Sequence, residues 1–147
     1  MLGVSTVGGR YASVAGEYFM AWCKCRVAIM EDDTASREVL KLILEDQYEV
    51  TCYEDGISGL EGIRHEIPQA VVMDINMPYM DGIQVIQEIR NDPDLAGIFA
   101  IALTAHGMTG DREKFIQLGF DYYLLKPVLD FEALMRTLDS HLLKKSA

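Results

Sequence analysis

Positive charge is scarce in this chain. Its 147 residues include 13 lysines and arginines against 23 aspartates and glutamates, which gives a net charge of −10. A surface that binds DNA or RNA needs a basic footprint to neutralise phosphates, so we expect no nucleic-acid partner. Long apolar runs are also missing. No stretch reaches the roughly 18 residues of a membrane-spanning helix, so we expect no membrane insertion.

Cysteine is scarce as well, with only Cys23, Cys25 and Cys52. Three cysteines are too few for a disulfide framework and suit a reducing compartment. Residues 1–9 carry no basic side chain, and no apolar segment of a signal peptide follows them. We therefore predict a cytoplasmic location. Cys23 and Cys25 form a C-x-C pair with no second pair downstream, so reduced thiols are the simpler interpretation and a metal site is the alternative.

The first 22 residues differ from the rest of the chain. They place four glycines among small polar residues and show no sustained hydrophobic period. We predict a loosely ordered extension over residues 1–22 and one domain over residues 23–147. Half of all residues are apolar, which is enough to form a proper core in a domain of this length.

From residue 26 onward, short apolar runs alternate with segments of helical period. This alternation is typical of an α/β fold with a parallel sheet flanked by helices. In the first helix, Val39, Leu40, Ile43 and Leu44 are predicted to form the inner stripe. The predicted strands cover residues 27–30, 49–53, 70–73, 98–103 and 122–125. The predicted helices cover 34–45, 57–66, a segment capped by Asp81 that ends near 90, 111–118, and a final segment capped by Asp130.

Polar side chains directly follow four of the predicted strands. Glu31 and Asp32 follow the first strand, Asp74 the third, Thr104 the fourth and Lys126 the fifth. Carboxyl ends of parallel strands share one edge of a sheet, where open α/β folds bind ligands, so we expect one site there. Neighbouring strands lie about 4.8 Å apart, so these carboxylates would repel one another without a cation. Oxygen ligands favour Mg²⁺, and Lys126 and Thr104 would complete a cradle suited to phosphoryl transfer.

From about residue 26 to residue 143, the chain resembles the receiver domains of bacterial two-component response regulators. Both the order and the spacing of four motifs agree, including 30 residues from Asp74 to Thr104 and 22 from Thr104 to Lys126. The motifs are Val27-Ala28-Ile29-Met30-Glu31-Asp32-Asp33, Met73-Asp74-Ile75-Asn76-Met77-Pro78-Tyr79-Met80-Asp81-Gly82, Leu103-Thr104-Ala105 and Leu125-Lys126-Pro127.

The resemblance implies a flavodoxin-like five-stranded parallel sheet in the order 2-1-3-4-5, with five helices on both faces. It also implies that Asp74 is the phosphoacceptor. Glu31, Asp32 and Asp74 would hold Mg²⁺ together with the backbone carbonyl of Asn76, and Lys126 would pair with the phosphoryl oxygens.

The resemblance further implies a switch. Thr104 would hydrogen-bond the phosphoryl group, Tyr123 would turn inward, and the small Ala105 would leave room for the phosphoryl donor. Asn76 and His106 occupy positions that tune the rate of dephosphorylation in this family; for His106, an exposed loop residue is the simpler interpretation. Two structural features are also implied: a cis peptide bond before Pro127 and a glycine at position 82.

The implied activity is that of a phosphorylation-dependent signalling switch, which is not an enzyme and catalyses only its own phosphorylation and dephosphorylation. The donor would be a histidine kinase or a histidine phosphotransfer protein, and the surface of the fourth helix, fifth strand and fifth helix would display the change. We expect a stand-alone regulator or phosphorelay intermediate. The alternative is a receiver from a hybrid histidine kinase or another multidomain protein. A phosphorylation-linked dimer is also compatible with the resemblance.

A phosphatase of the haloacid dehalogenase type is a more distant alternative. It also combines an aspartate nucleophile with Mg²⁺, a threonine and a lysine. Its general acid is a second aspartate two residues after the nucleophile, whereas this chain has Asn76 there. A flavodoxin-like binding module is a third option, but carboxylates at the rim would repel a flavin phosphate.

Overall fold

A computed structural model describes residues 5–7, 10–12, 24–105 and 111–146, with side chains described for 24–105 and 112–142. His106 and Cys23 lie outside these residues, so the predictions made for them stay predictions. Near the amino terminus, two three-residue strands, β1 (Ser5–Val7) and β2 (Arg10–Ala12), pair antiparallel. The sequence pattern did not indicate this pair.

The rest of the described chain alternates strands and helices. The elements in order are β3 (Arg26–Met30), α1 (Thr34–Leu44), β4 (Glu49–Tyr53), α2 (Gly56–His65), β5 (Ala70–Asp74), α3 (Gly82–Asn91), β6 (Phe99–Thr104), α4 (Asp111–Leu118), β7 (Tyr122–Leu125) and α5 (Phe131–Ser146). No helix within the described residues combines the length and the apolar character that crossing a membrane requires.

The five strands β3 to β7 form one parallel sheet in the order β4-β3-β5-β6-β7. This confirms the predicted order 2-1-3-4-5. β4, the next strand along the chain, lies on one side of β3, and β5 lies on its other side. The sheet therefore changes direction between β3 and β5, which is where folds of this kind place their ligands.

Each face of the sheet buries its own apolar cluster, because successive side chains of a strand point to opposite faces. On one face, Ala28 and Met30 pack with side chains from α2, α3 and α4. On the other face, Val27 and Ile29 pack with side chains from α1 and α5. The five helices therefore cover both faces, as predicted.

The inner stripe of α1 is narrower than the sequence pattern predicted. Leu40 and Leu44 are buried and Ile43 packs against them, but Val39 is 45% exposed. At 3.6 residues per turn, Val39 lies roughly 120° around the helix from the midpoint of Leu40 and Leu44. The prediction for Val39 was therefore wrong, because the neighbouring elements cover only the middle of the apolar arc.

Four helices near the carboxyl edge of the sheet begin with an aspartate cap: Asp33, Asp55, Asp81 and Asp130. Asp33 accepts the backbone N–H of Ser36, and Asp81 forms a reciprocal capping box with Gln84. The predicted cap Asp130 accepts the backbone N–H of Ala133 at 2.9 Å. Each carboxylate satisfies a backbone donor that the first helical turn leaves without a partner. These caps fix where each helix leaves the edge.

Candidate functional site

The five polar residues predicted to form a site lie at one edge of the sheet. Asp74 and Thr104 are the last residues of β5 and β6, Glu31 and Asp32 follow β3, and Lys126 follows β7. The strands are parallel and in register, with Asp74 beside Leu103 and Thr104 beside Leu125. The carboxyl ends of four neighbouring strands therefore place these side chains in one cluster.

Lys126 joins the two buried carboxylates of the cluster. Its Nζ lies 3.0 Å from Glu31 Oε2 and 3.1 Å from Asp74 Oδ2. Glu31 is fully buried and Asp74 is 5% exposed. Burial alone would lower the pKa of Lys126, but its hydrogen bonds to Glu31 and Asp74 outweigh burial and raise that pKa. Lys126 therefore stays charged at this edge.

Backbone N–H groups hold the same two carboxylates from the other side. The N–H of Asn76 donates to Asp74 Oδ1 at 3.1 Å. The N–H of Asp33 donates to Glu31 Oε1 at 3.1 Å. Each carboxylate is thus oriented by a backbone donor and by Lys126.

The charges of the cluster do not balance. Glu31, Asp32 and Asp74 each contribute an oxygen within 4.8 Å of the others, and Lys126 contacts two of these carboxylates, Glu31 and Asp74. Burial, with a further contribution from Asp74, raises the pKa of Glu31 to about 7. Although Glu31 Oε2 lies close to Lys126 Nζ, this buried oxygen has no hydrogen-bond partner among the described residues.

An oxygen-only set of three carboxylates, one of which has a buried oxygen that accepts no hydrogen bond among the described residues, fits a hard divalent cation such as Mg²⁺. Asp32 is the exposed member of the set, so the cluster opens to solvent on that side. A cation there would favour the charged form of Glu31, which burial and, to a smaller extent, the charge of Asp74 disfavour. The residues present therefore fit the ion that the strand-end pattern predicted.

Gly82 allows α3 to begin directly against the backbone of Asp74. Its N–H donates to the carbonyl of Ile75 at 2.8 Å. A Cβ at this position would lie 2.7 Å from the carbonyl oxygen of Asp74 and 2.9 Å from Ile75 Cα. Since real Cβ contacts are longer, any other residue would push the loop after β5 away from α3.

The residues predicted to act as a switch lie around the cluster. Thr104 is buried and its carbonyl accepts the N–H of Lys126 at 2.8 Å, while Ala105 is exposed at the rim. The ring of Tyr123 is half-buried and lies 5.6 Å from the ring of Phe115 on α4. The Lys126–Pro127 peptide bond is cis, the isomer that the resemblance implied.

Arg37 is a residue near the site that the strand-end pattern did not indicate. This α1 residue directs its guanidinium back to the loop that carries Glu31 and Asp32, and its Nη1 donates to the carbonyl of Glu31 at 2.8 Å. A basic residue one turn into the helix after the acidic loop is the signal that could have indicated it. A long side chain near the start of a helix can reach back toward the preceding loop.

The fold and the site together define a class of protein: a doubly wound α/β domain with a carboxylate cluster and an ammonium at the point where its sheet changes direction. This combination suits a divalent cation and a phosphoryl group. Residues 27–139 match the family model described as the response regulator receiver domain, and the chain belongs to this family.

Curated relatives agree with this assignment. The response regulator Rre1 of Synechocystis sp. is 34% identical over 114 residues, which are 75% of this chain and 49% of that protein. The sensor protein GacS of Pseudomonas syringae pv. syringae is 34% identical over 107 residues, 70% of this chain but 12% of that protein. The chain therefore spans about half of Rre1 and a small part of GacS.

Solved structures share the fold. The receiver domain of the sensor histidine kinase PA1611 from Pseudomonas aeruginosa, with magnesium coordinated in its active-site cleft, has a TM-score of 0.72 and 31% identity. That comparison covers 80% of this chain and 97% of the other. The receiver domain of the Francisella response regulator 1452 has a TM-score of 0.76 and 26% identity, covering 84% and 100%.

Proposed function

We propose that this receiver domain works by accepting a phosphoryl group onto the carboxylate of Asp74, with Mg²⁺ bound beside it. The main support for this proposal is that Lys126 Nζ forms ion pairs with both Asp74 and Glu31, at 3.1 and 3.0 Å. It places an ammonium where the oxygens of a phosphoryl group on Asp74 would gather negative charge.

Four groups would hold the ion: the carboxylates of Glu31, Asp32 and Asp74 and the backbone carbonyl of Asn76. Bound Mg²⁺ would neutralise charge on the transferring phosphoryl group. Asp74 would attack phosphorus, the bond from phosphorus to the donor's imidazole nitrogen would break, and the electron pair would leave with that nitrogen. Lys126 would then turn from the carboxylates to the new phosphoryl oxygens.

The response to phosphorylation would begin at the end of β6. Thr104 would hydrogen-bond the phosphoryl group, and Tyr123 would leave its position beside Phe115 and turn inward. Ala105 would leave room for the donor, while Asn76 and His106 would tune the lifetime of the phosphoryl group. Phosphorylation adds roughly 1.5 to 2 negative charges at this point, which is the driving force for the change.

The surface of α4, β7 and α5 would display the new state to a partner. Ile116, Tyr122 and Leu125 are exposed there, at 47%, 38% and 49%. Apolar side chains that are rearranged by a switch can create or remove a docking face, including one for a second copy of the chain. Unchanged amide chemical shifts across residues 112–125 after phosphorylation would contradict this part of the proposal.

The donor would be a histidine kinase or a histidine phosphotransfer protein in the cytoplasm. Two contexts are proposed, since the relatives include both a response regulator and a sensor protein. In the first, the chain is a stand-alone regulator or phosphorelay intermediate. In the second, the receiver belongs to a hybrid histidine kinase or another multidomain protein.

The direct test is the intact mass after incubation with a small acyl-phosphate donor, with and without Mg²⁺. We expect one added phosphoryl group in the unaltered protein with Mg²⁺ and none in Asp74→Asn. Asp46→Asn is the matched control, because it makes the same change at an exposed acid after α1 and should be phosphorylated normally. Phosphorylation of Asp74→Asn, or none in the unaltered protein, would refute the assignment.

A further inference from the structure

Arg37 holds the loop that follows β3, yet the chemistry proposed above does not use it. Its Nη1 donates to the carbonyl of Glu31 at 2.8 Å and approaches the carbonyl of Asp32 at 3.4 Å. Its Nη2 lies 3.4 Å from Thr34 Oγ1, the first residue of α1. One guanidinium on the helix is thus joined to two consecutive peptide groups of the acidic loop.

Those two peptide groups flank the Cα atom of Asp32. The carbonyl of Glu31 belongs to the peptide unit before Asp32, and the carbonyl of Asp32 belongs to the unit after it. Peptide units are planar, so only the φ and ψ angles of Asp32 remain to be set between them. A group that holds both carbonyls therefore restrains both angles, and with them the direction of the Asp32 side chain.

Asp32 depends on this restraint more than the other two carboxylates do. Glu31 and Asp74 are buried and are oriented by Lys126 and by backbone N–H groups. Asp32 is exposed, and among the described residues no hydrogen bond or ion pair reaches its carboxylate. Its position relative to the other ligands is thus set by its own backbone.

Arg37 does not act as a counter-charge to the cluster. Within the described part of the chain, its guanidinium forms no ion pair with a carboxylate within 4.0 Å. Losing its positive charge should by itself favour binding of a cation, since one repulsion disappears. Losing the restraint on Asp32 should disfavour it. The two roles predict changes of opposite sign.

We propose that Arg37 is a positioning residue for the metal site, which places the carboxylate of Asp32 through the two peptide groups around it. The proposal rests on the proposed function, because it assumes that Mg²⁺ binds to Glu31, Asp32 and Asp74. It adds a residue of α1 that touches neither the ion nor the phosphoryl group.

The test is the Mg²⁺ dissociation constant of the whole chain, measured by titration calorimetry at fixed ionic strength. We expect Arg37→Met to weaken binding about tenfold, the lower end of the range for partners that orient metal ligands. Arg37→Lys keeps the charge but lacks the second nitrogen, Nη2, whose contact with Thr34 Oγ1 helps to hold Nη1 on both carbonyls, so it should also weaken binding. Lys41→Met removes the same charge from an exposed position on α1 and should leave binding unchanged or slightly tighter.

Binding by Arg37→Met that equals or exceeds that of the unaltered protein would overturn the inference. If Arg37→Met does not fold, the same criterion applies to Arg37→Lys. Failure of the unaltered protein to bind Mg²⁺ would instead refute the proposed metal site, and it would be seen before any variant is compared.

A second measurement, made without the ion, separates positioning from general destabilisation. The N–H of Asp33 donates to Glu31 Oε1 within the same loop. In Arg37→Met, hydrogen exchange at this amide should accelerate, while the amides of the buried residues Leu40 and Leu44 keep their rates. Equal acceleration at all three amides would show a purely structural role and contradict the inference.

Discussion

Arg90, in the last turn of α3, joins three segments of the chain. Its Nε donates to the carbonyl of Gly119 at 2.8 Å, where α4 ends. Its Nη1 donates to the carbonyls of Ala96 and Ile98 in the loop before β6, at 2.8 and 2.7 Å. Its Nη2 pairs with Asp121 Oδ2 at 3.0 Å, just before β7. Replacing Arg90 by methionine removes all four bonds but keeps much of the aliphatic packing.

The cost of Arg90→Met depends on which acceptors can be rehydrated. The bonds to Gly119 and Ile98 are partly buried, and a hydrogen bond to a charged group at such a position contributes about 1.5 kcal/mol or more. The bonds to Ala96 and Asp121 are exposed and contribute about 0.5 kcal/mol each, because water can replace them. We expect a loss of about 4 kcal/mol, a large part of the roughly 5–15 kcal/mol that stabilises a domain.

Urea denaturation measures this loss. With a slope of about 2 kcal/mol per molar, the midpoint should fall by about 2 M. Arg64→Met is the matched control, because Arg64 is 46% exposed and its ion pairs with Glu88 and Asp92 are 3.5 and 3.6 Å long. Such surface pairs contribute at most about 1 kcal/mol. If the two variants differ by less than about 1 kcal/mol at equal slopes, the reasoning about Arg90 is wrong.

Three further predictions concern the site and α5. Gly82→Ala should cost about 2 kcal/mol in urea denaturation, because its Cβ would lie 2.7 Å from the carbonyl of Asp74; an unchanged midpoint would contradict the close approach. Because the pKa of Glu31 is raised to about 7, Mg²⁺ must displace a proton, so calorimetry should show affinity falling as pH drops through that value. Without Mg²⁺, the folded state binds the proton of Glu31 more tightly than the unfolded state does. The stability that this contributes should be fully present below the ordinary pKa of 4.5 and be lost as pH rises through about 7. Glu31→Gln should abolish the pH dependence of both the Mg²⁺ affinity and the stability. Tyr48→Phe should cost about 1–2 kcal/mol in thermal or urea unfolding, because the buried hydroxyl bonds to Asp139 on α5; stability equal to that of the unaltered protein would argue against this bond.

The order of elements could be predicted because hydrophobic period is a local property. Apolar runs of four to six residues and helical stripes are visible in any short window, so strands such as Glu49–Tyr53 and Tyr122–Leu125 were predicted with their observed bounds. The same windows misjudged Val39. A stripe shows which side of a helix is apolar, but not how far the neighbouring elements cover it.

The membership of the site could also be predicted. Glu31, Asp74, Thr104 and Lys126 each end or follow an apolar run, and parallel strands must bring such residues to one edge. The sequence by itself therefore determined the fold class, the edge and the residues that lie there. Each of these follows from patterns within a few residues along the chain.

Only the tertiary structure decided how those residues meet. Lys126 reaches Glu31 across 95 positions of sequence, and Arg90 reaches Gly119 across 29. Such contacts depend on the order of strands, the spacing of helices and the conformation of long side chains. The hydrophobic period of the sequence indicates none of these. The roles inferred for Arg37 and Arg90 therefore came from distances between atoms, because their positions in the chain alone marked them only as basic residues on helices.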